Sequence, residues 1–150
     1  MISKTLLAIL SAWIIENTEF DKKIVHPEIF FINKSEMSEK ACFSSKLCKV
    51  KAYYVKNRGI FLIDSLKPEE NICDRSIILH ELVHHYQKNS NKSFDLDERT
   101  LWTLQERQAI FYQNLFLIQS KIKNDNKGPE NILQCEGGTY LDLQYEINKN

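Results

Sequence analysis

The stretch that decides the fold is Ser76-Ile77-Ile78-Leu79-His80-Glu81-Leu82-Val83-His84, near the middle of the 150-residue chain. It contains neither Gly nor Pro, and its apolar residues are typical of a buried helix. Residues four apart on a helix lie above one another on the same face. His80 and His84 therefore present both imidazoles on one side of this helix, with Glu81 beside the first of them.

Residues 80–84 have the pattern HExxH, in which each polar residue can have a defined role at a zinc ion. Imidazole nitrogens bind Zn²⁺ at about 2.0–2.1 Å, and two imidazoles four residues apart reach one ion. The carboxylate of Glu81 flanks the ion, where it takes a proton from a metal-bound water whose pKa zinc lowers toward ~7. The spacing predicts a site with His80 and His84 as ligands and Glu81 as general base. A helix with incidental histidines is the alternative.

Other polar residues could support the predicted zinc site or have only a structural role. Gln87 extends the histidine face by one turn and suits a hydrogen-bonding partner of the site. His85 points elsewhere on the helix and is interpreted as a surface or packing residue, and His26 as structural. An oxyanion donor besides zinc is expected. The candidates stay open: Tyr86, Arg107, Tyr112 and Tyr140.

A catalytic zinc site needs three protein ligands and one open position. The residues after His84 contain neither the Gly nor the third His of a metzincin. Asp142 follows a Gly-Thr segment as in an aspzincin, but it lies 58 residues past His84, farther than that class usually places it. Glu106 lies 22 residues past His84, and two antiparallel helices would bring it opposite the histidines, with the small Ala109 letting them approach. We expect Glu106 to be the third ligand; Glu98 is too near the turn, and a solvated helix acid is the alternative for Glu106.

The remaining elements are short and surround this helix pair. In the first half of the chain we predict an amphipathic helix at residues 2–17, a strand at Glu28–Asn33, a helical turn at Ser35–Lys40 capped by Ser35, and two strands at Lys51–Val55 and Gly59–Ile63. A loop at Asp64–Cys73 then leads to a helix from its N-cap Asp74 to about Ser90. A long helix at Asp97–Lys123 and an irregular arm or strand at Thr139–Tyr145 complete the prediction. Asn57 and Gly59 suit a tight reversal and hence a hairpin. The order predicts an α+β fold, a minimal zincin-like domain over residues 1–150.

Two surfaces are also predicted. The long helix should bury residues that recur at steps of three, four or seven, and adjacent residues that widen this stripe. These are Leu101, Leu104, Phe111, Leu115, Ile118 and Ile122, then Ile110, Phe116 and Leu117. Gly59–Ile63 would bind an extended substrate through backbone hydrogen bonds if it were an open edge strand. That this strand simply fills the core is an equal alternative.

Composition restricts the class of partner. The chain has 20 basic and 20 acidic residues, so its net charge gives no basic excess for nucleic acid. The apolar runs in the first helix are too short to span a bilayer. Trp13 and Ile14 stand where a signal peptide needs small residues, which favours a packed helix over a cleavable signal. The compartment stays open between periplasmic or secreted and cytoplasmic, as does the oligomeric state.

The cysteines leave the redox state open. Four are present, and none forms a CxxC pair: Cys42, Cys48, Cys73 and Cys135. An even number permits two disulfides in three pairings. Small buried thiols in a reducing compartment are the alternative.

With residues 80–84 and Glu106-Arg107-Gln108-Ala109 in place, the chain resembles the small bacterial gluzincins. More narrowly, it is similar to a family of uncharacterised HExxH zinc metallopeptidase domains of about this length. The likeness covers roughly residues 6–118 and rests on Ala12-Trp13-Ile14, Gly59-Ile60-Phe61-Leu62, His80–Gln87, and Glu106 with Gln113. The resemblance implies one Zn²⁺ and hydrolysis of a peptide or protein substrate. A zinc-binding but inactive or partner-activated module is the alternative, because so short a chain lacks the extra subdomain of larger zincins.

Overall fold

The computed structural model describes residues 2–45, 47–90, 95–125 and residue 135. Its elements are α1 (Lys4–Asn17), β1 (Ile29–Ile32), α2 (Lys34–Cys42), β2 (Ala52–Val55), β3 (Gly59–Ile63), α3 (Ile72–Asn89) and α4 (Glu98–Asp125). The protein therefore has the predicted α+β fold. The arm predicted at Thr139–Tyr145 lies outside the described residues, and Asp142 with it.

Two helices begin earlier than predicted. The cap of α2 is Asn33 rather than Ser35, and it forms a reciprocal capping box with the third helical residue. The cap of α3 is Asn71 rather than Asp74, because the Asn71 side chain accepts two backbone N–H groups of the first turn. Asp74 instead accepts the backbone N–H of Lys67 at 2.8 Å, which ties the preceding loop to the helix.

The sheet has the strand order β1-β3-β2. β2 pairs antiparallel with β3, which confirms the hairpin, and β1 pairs parallel with β3 on its other side. Gly59 makes this parallel contact possible: its φ is +121°, and a Cβ there would collide with the carbonyl of Glu28. Of the two alternatives for Gly59–Ile63, the strand that fills the core is therefore confirmed and the open edge is wrong, since that strand is central in the sheet.

Alternate side chains of β3 enter different layers. Ile60 and Leu62 are fully buried in the main core, against α1, α3 and α4. Phe61 faces the other way and packs with Met37 of α2 and with Ile32. The sheet thus separates α2 on one face from the three longer helices on the other.

The buried face of α4 differs from the predicted one. Three residues of the predicted stripe are exposed: Leu104 by 47%, Phe111 by 60% and Ile118 by 36%. Ile110, Phe116 and Leu117 are buried as predicted, and within residues 98–120 the helix also buries Ala109 and Gln113. The helix is rotated because polar Glu106 and Gln113 turn toward the histidines of α3, and hydropathy alone assigns such residues to the solvent side.

All four cysteines form disulfides, in two pairs. Cys42 bonds to Cys48 across six residues, and Cys73 near the start of α3 bonds to Cys135 across 62 residues. Among the described helices, none has an apolar stretch sufficient to cross a membrane. The first helix is packed as predicted, with Leu6, Leu10 and Ile14 buried in the main core.

Candidate metal centre

The two long helices α3 and α4 run antiparallel and bring the predicted ligands together. Ala109 is completely buried where the helices meet, and its small side chain permits their close approach. His80 and His84 on α3 face Glu106 on α4, and one ligand atom from each residue lies within 4.8 Å of the others. The predicted convergence of these three side chains is therefore present in the structure.

The separations between the three side chains suit one small cation. The Nε2 atoms of His80 and His84 are 3.0 Å apart. Glu106 Oε1 lies 3.0 Å from Nε2 of His84, and Oε2 lies 3.4 Å from Nε2 of His80. A tetrahedral ion with bonds near 2.0–2.1 Å separates its ligand atoms by about 3.3 Å. The donors thus stand close to the spacing that zinc requires.

Gln87 fixes the protonation of His84. Its Nε2 donates to the backbone carbonyl of Gln105 at 2.9 Å and to Oε1 of Gln108 at 2.8 Å, so the orientation of its amide is determined. Its Oε1 then faces Nδ1 of His84 at 2.8 Å, and only a protonated Nδ1 can donate to it. In neutral His84, Nε2 is therefore the nitrogen with a free lone pair.

Gln113 fixes His80 in the same way. The Ser76 hydroxyl donates to the backbone carbonyl of Cys73 at 2.7 Å and accepts from Nε2 of Gln113 at 3.1 Å. Oε1 of Gln113 consequently faces Nδ1 of His80 at 3.1 Å. The proton of neutral His80 therefore lies on Nδ1, and its Nε2 also has a free lone pair. Hydrogen bonds of this kind orient histidine ligands in metal sites.

The short distances between Glu106 and the two histidines shift the pKa values of the cluster. Burial acts to raise the pKa of Glu106, but hydrogen bonds from His80 and His84 outweigh it and hold that pKa at about 2. Burial acts to lower the pKa of His84, and the carboxylate of Glu106 more than compensates, so that pKa is raised. In the metal-free protein, Glu106 thus contributes stability above its usual pKa of 4.5, and this contribution is lost as the pH falls through about 2.

Glu81 lies beside the cluster without belonging to it. Its side chain is buried, and this burial raises its pKa, against the opposing effect of His80 and His84. The backbone of Tyr54 on β2 forms a hydrogen bond with its carboxylate. A buried carboxylate of raised pKa beside three possible metal ligands can accept and return a proton.

Other candidate residues lie elsewhere. His85 packs against the ring of Tyr54 and contacts the carbonyl oxygen of Val25 at 2.7 Å, which confirms its packing role. Glu98 is the exposed first residue of α4 and is not one of the clustered ligands. Tyr86 is buried in the main core. Tyr140 lies outside the described residues, and no oxyanion donor is assigned.

Sequence reasoning linked Gln113 to the site only through the family resemblance and did not identify Ser76. A signal was present, because Gln113 lies seven residues after Glu106 and thus on the same helix face. The hydroxyl of Ser76 becomes meaningful only when α3 and α4 are packed together. Both residues are buried, with 3% and 0% of their surface exposed.

A cavity of about 510 Å³ lies beside the C-terminal half of α3. His26, Arg58, His85 and Asn89 contribute to its lining, but the three clustered ligands do not. Tyr54 connects the two regions, since it lines the cavity and its backbone binds Glu81. The candidate metal centre and this cavity are therefore neighbours and not one site.

Comparison with known proteins gives a family and no activity. The family described as Domain of unknown function (DUF6647) matches residues 2–136. No curated protein and no solved structure matches the chain significantly.

Proposed function

The chain belongs to the family Domain of unknown function (DUF6647), and we propose that it is a zinc-dependent metallopeptidase. In this proposal His80, His84 and Glu106 bind the ion, and Glu81 is the general base. Substrates are peptides or proteins.

One observation supports the ion above all others. Gln87 and Gln113 hold the protons of neutral His84 and His80 on Nδ1, so in the neutral rings the two Nε2 lone pairs face each other at 3.0 Å. A carboxylate completes the group. Lone pairs at this distance repel each other unless a cation lies between them. A proton or a metal ion between the two Nε2 atoms removes this repulsion, but only a metal ion binds both nitrogens and the carboxylate of Glu106.

The donor set favours zinc. Two imidazole nitrogens and one carboxylate form the ligand set of several catalytic zinc sites, in which the fourth position is open. The side chains of His80, His84 and Glu106 remain 14%, 12% and 21% exposed, so solvent reaches the cluster. A closed structural site would have a fourth protein ligand and no such access.

The reaction follows from the position of Glu81. When bound, zinc supplies a water of lowered pKa and polarises a carbonyl oxygen. Glu81 accepts a proton from that water at its carboxylate and later returns it to the leaving amide nitrogen.

The strand β2 supplies a surface for the substrate. It is an edge strand that packs beside α3. Lys51 accepts a backbone hydrogen bond from Ile63 of β3, so the alternating backbone groups of Ala52 and Tyr54 point away from β3, to a side where no described strand pairs. The Tyr54 N–H on this side is directed to Glu81, which leaves Ala52 and the Tyr54 carbonyl for a substrate. An extended peptide that pairs with this edge would pass close to Glu81.

Elemental analysis of the untagged protein and its variants tests the proposal. We expect one zinc ion per chain in the wild type and in Glu81→Gln, and strong loss in Glu106→Gln. Glu98→Gln, on the exposed first turn of α4, is the matched control and should retain zinc. In a peptide-library assay, Glu81→Gln should lose about 10²–10⁴-fold in rate.

Three results would contradict parts of this assignment. Absence of zinc after reconstitution would remove the metal centre. Zinc unaffected by Glu106→Gln would move the third ligand to another residue. Full zinc without hydrolysis of any peptide would indicate a metal-binding interaction module instead of an enzyme.

A further inference from the structure

The loop between α2 and β2 exposes two large apolar side chains. Phe43 is 95% exposed and Leu47 is 86% exposed. The disulfide between Cys42 and Cys48 closes the loop at its base. Neither apolar side chain belongs to a core cluster, so neither contributes packing to the fold. We call the described residues of this segment, 42–45, 47 and 48, the apolar loop.

The backbone holds Phe43 outward in an unfavourable conformation. Its φ is +50°, and that of Ser44 is +64°, in the left-handed region where bulky residues are uncommon. Hydrogen bonds within the segment stabilise this shape, including one from the Ser38 hydroxyl to the carbonyl of Ser45 at 2.8 Å. These left-handed residues end α2, because the Ser44 N–H donates to the carbonyl of Ser38 at 2.9 Å, and this helix ending presents Phe43 to solvent.

The surroundings of the apolar loop are basic. Residues 40–51 contain four lysines and no acidic residue, in a chain whose net charge is zero. Lys40 and Lys49 flank the disulfide and are exposed. In the part of the chain that the structure describes, neither lysine forms an ion pair with a carboxylate. The basic charge is therefore available to an anionic surface.

We propose that the apolar loop docks the protein on an anionic lipid surface. Phe43 and Leu47 insert between the headgroups, while Lys40 and Lys49 contact lipid phosphates. A protein partner would need a broad complementary surface, whereas two protruding side chains on a narrow loop suit a fluid one. The disulfide lowers the ordering cost of insertion because the loop is already closed.

Docking in this orientation leaves the candidate metal centre uncovered. The loop follows α2, which packs on one face of the sheet through Met37 and Phe61. The metal ligands lie on α3 and α4, on the other face. The proposal is therefore independent of the peptidase activity, and its test does not need that activity.

Vesicle co-sedimentation of the oxidised full chain tests the proposal. We expect binding to vesicles of phosphatidylcholine mixed with phosphatidylglycerol, and little binding to phosphatidylcholine alone. Phe43→Asn with Leu47→Ser should weaken binding roughly a hundredfold, because two buried apolar side chains are lost. Asn tolerates the left-handed conformation, so this variant should fold. Lys40→Gln and Lys49→Gln should each cost about fivefold.

The control is Val25→Ser, which removes another apolar side chain that is 82% exposed, outside the loop. It should bind vesicles as the wild type does. Phe43→Trp should also bind, and its emission should shift to the blue on anionic vesicles. Failure of the wild type to bind anionic vesicles would overturn the proposal and favour a protein partner. Binding that survives Phe43→Asn with Leu47→Ser, or that is equal on neutral vesicles, would overturn it as well.

Discussion

At the proposed zinc site, Gln113 should control metal affinity although it is not one of the proposed ligands. Its Oε1 accepts the Nδ1 proton of His80 at 3.1 Å, and its Nε2 binds the buried hydroxyl of Ser76. Gln113→Leu keeps a similar volume and removes both hydrogen bonds. The ring of His80 then loses the contact that fixes its tautomer and orientation.

The size of the effect follows from these two contacts. Loss of a hydrogen bond to a ligating histidine weakens metal binding by about 10–100-fold. This corresponds to about 1.4–2.8 kcal/mol of binding free energy. Ser76 keeps its bond to the carbonyl of Cys73, so the metal-free protein should lose only about 1 kcal/mol of stability.

Two assays separate the effects of Gln113→Leu. Competition with a chromophoric chelator measures zinc affinity, and urea unfolding in excess chelator measures the stability of the metal-free protein. Gln119→Leu is the matched control, because Gln119 lies on the same helix and bonds to Trp13 and Asn17 of α1. It should lower stability and leave zinc affinity unchanged.

Gln113→Glu provides a rescue, since a carboxylate also accepts the Nδ1 proton of His80. It should bind zinc at least as tightly as the wild type. If Gln113→Leu binds zinc within about twofold of the wild type, well below the expected loss, the assigned role of this hydrogen bond is refuted. The same conclusion follows if Gln119→Leu weakens zinc binding to the same extent.

Three further outcomes can be measured. Zinc affinity at the proposed site should fall by up to about tenfold per pH unit as the pH drops through the raised pKa of His84, because zinc must displace the His84 proton that the Glu106 carboxylate stabilises; calorimetry at several pH values checks this. Cys73→Ser should destabilise the protein by about 4 kcal/mol, since it opens a 62-residue loop, whereas Cys42→Ser opens one of six residues and should cost about 2 kcal/mol in the same urea titration. Gly59→Ala should cost more than about 1 kcal/mol, because it is strained at φ +121° and also collides with β1; an unchanged melting temperature would contradict the assigned contact.

Local patterns were sufficient to predict much of the fold and of the candidate site. The HExxH spacing depends only on helix geometry, and this geometry placed His80 and His84 on one face. Glu106 followed from counting turns along two antiparallel helices, and Asn57 with Gly59 indicated the hairpin. These features involve residues near one another in the chain, so sequence determines them directly.

Features that depend on distant contacts were not predictable in this way. The central position of β3 results from its parallel pairing with β1, about 30 residues earlier in the chain. The face of α4 was misassigned because Gln113 is buried in order to bind His80. The cysteine pairing likewise depends on tertiary proximity, so the bond from Cys73 to Cys135 appears only in the structure.

The disulfide between Cys73 and Cys135 closes a covalent ring of the chain that contains the candidate centre. The chain between these cysteines contains both ligand-bearing helices, with His80, His84 and Glu106 inside the ring. A protease that cuts once between the helices would therefore leave two fragments joined by sulfur. These fragments should run together on a non-reducing denaturing gel and separate when the bond is reduced. Under native conditions the joined fragments should retain zinc at the proposed site.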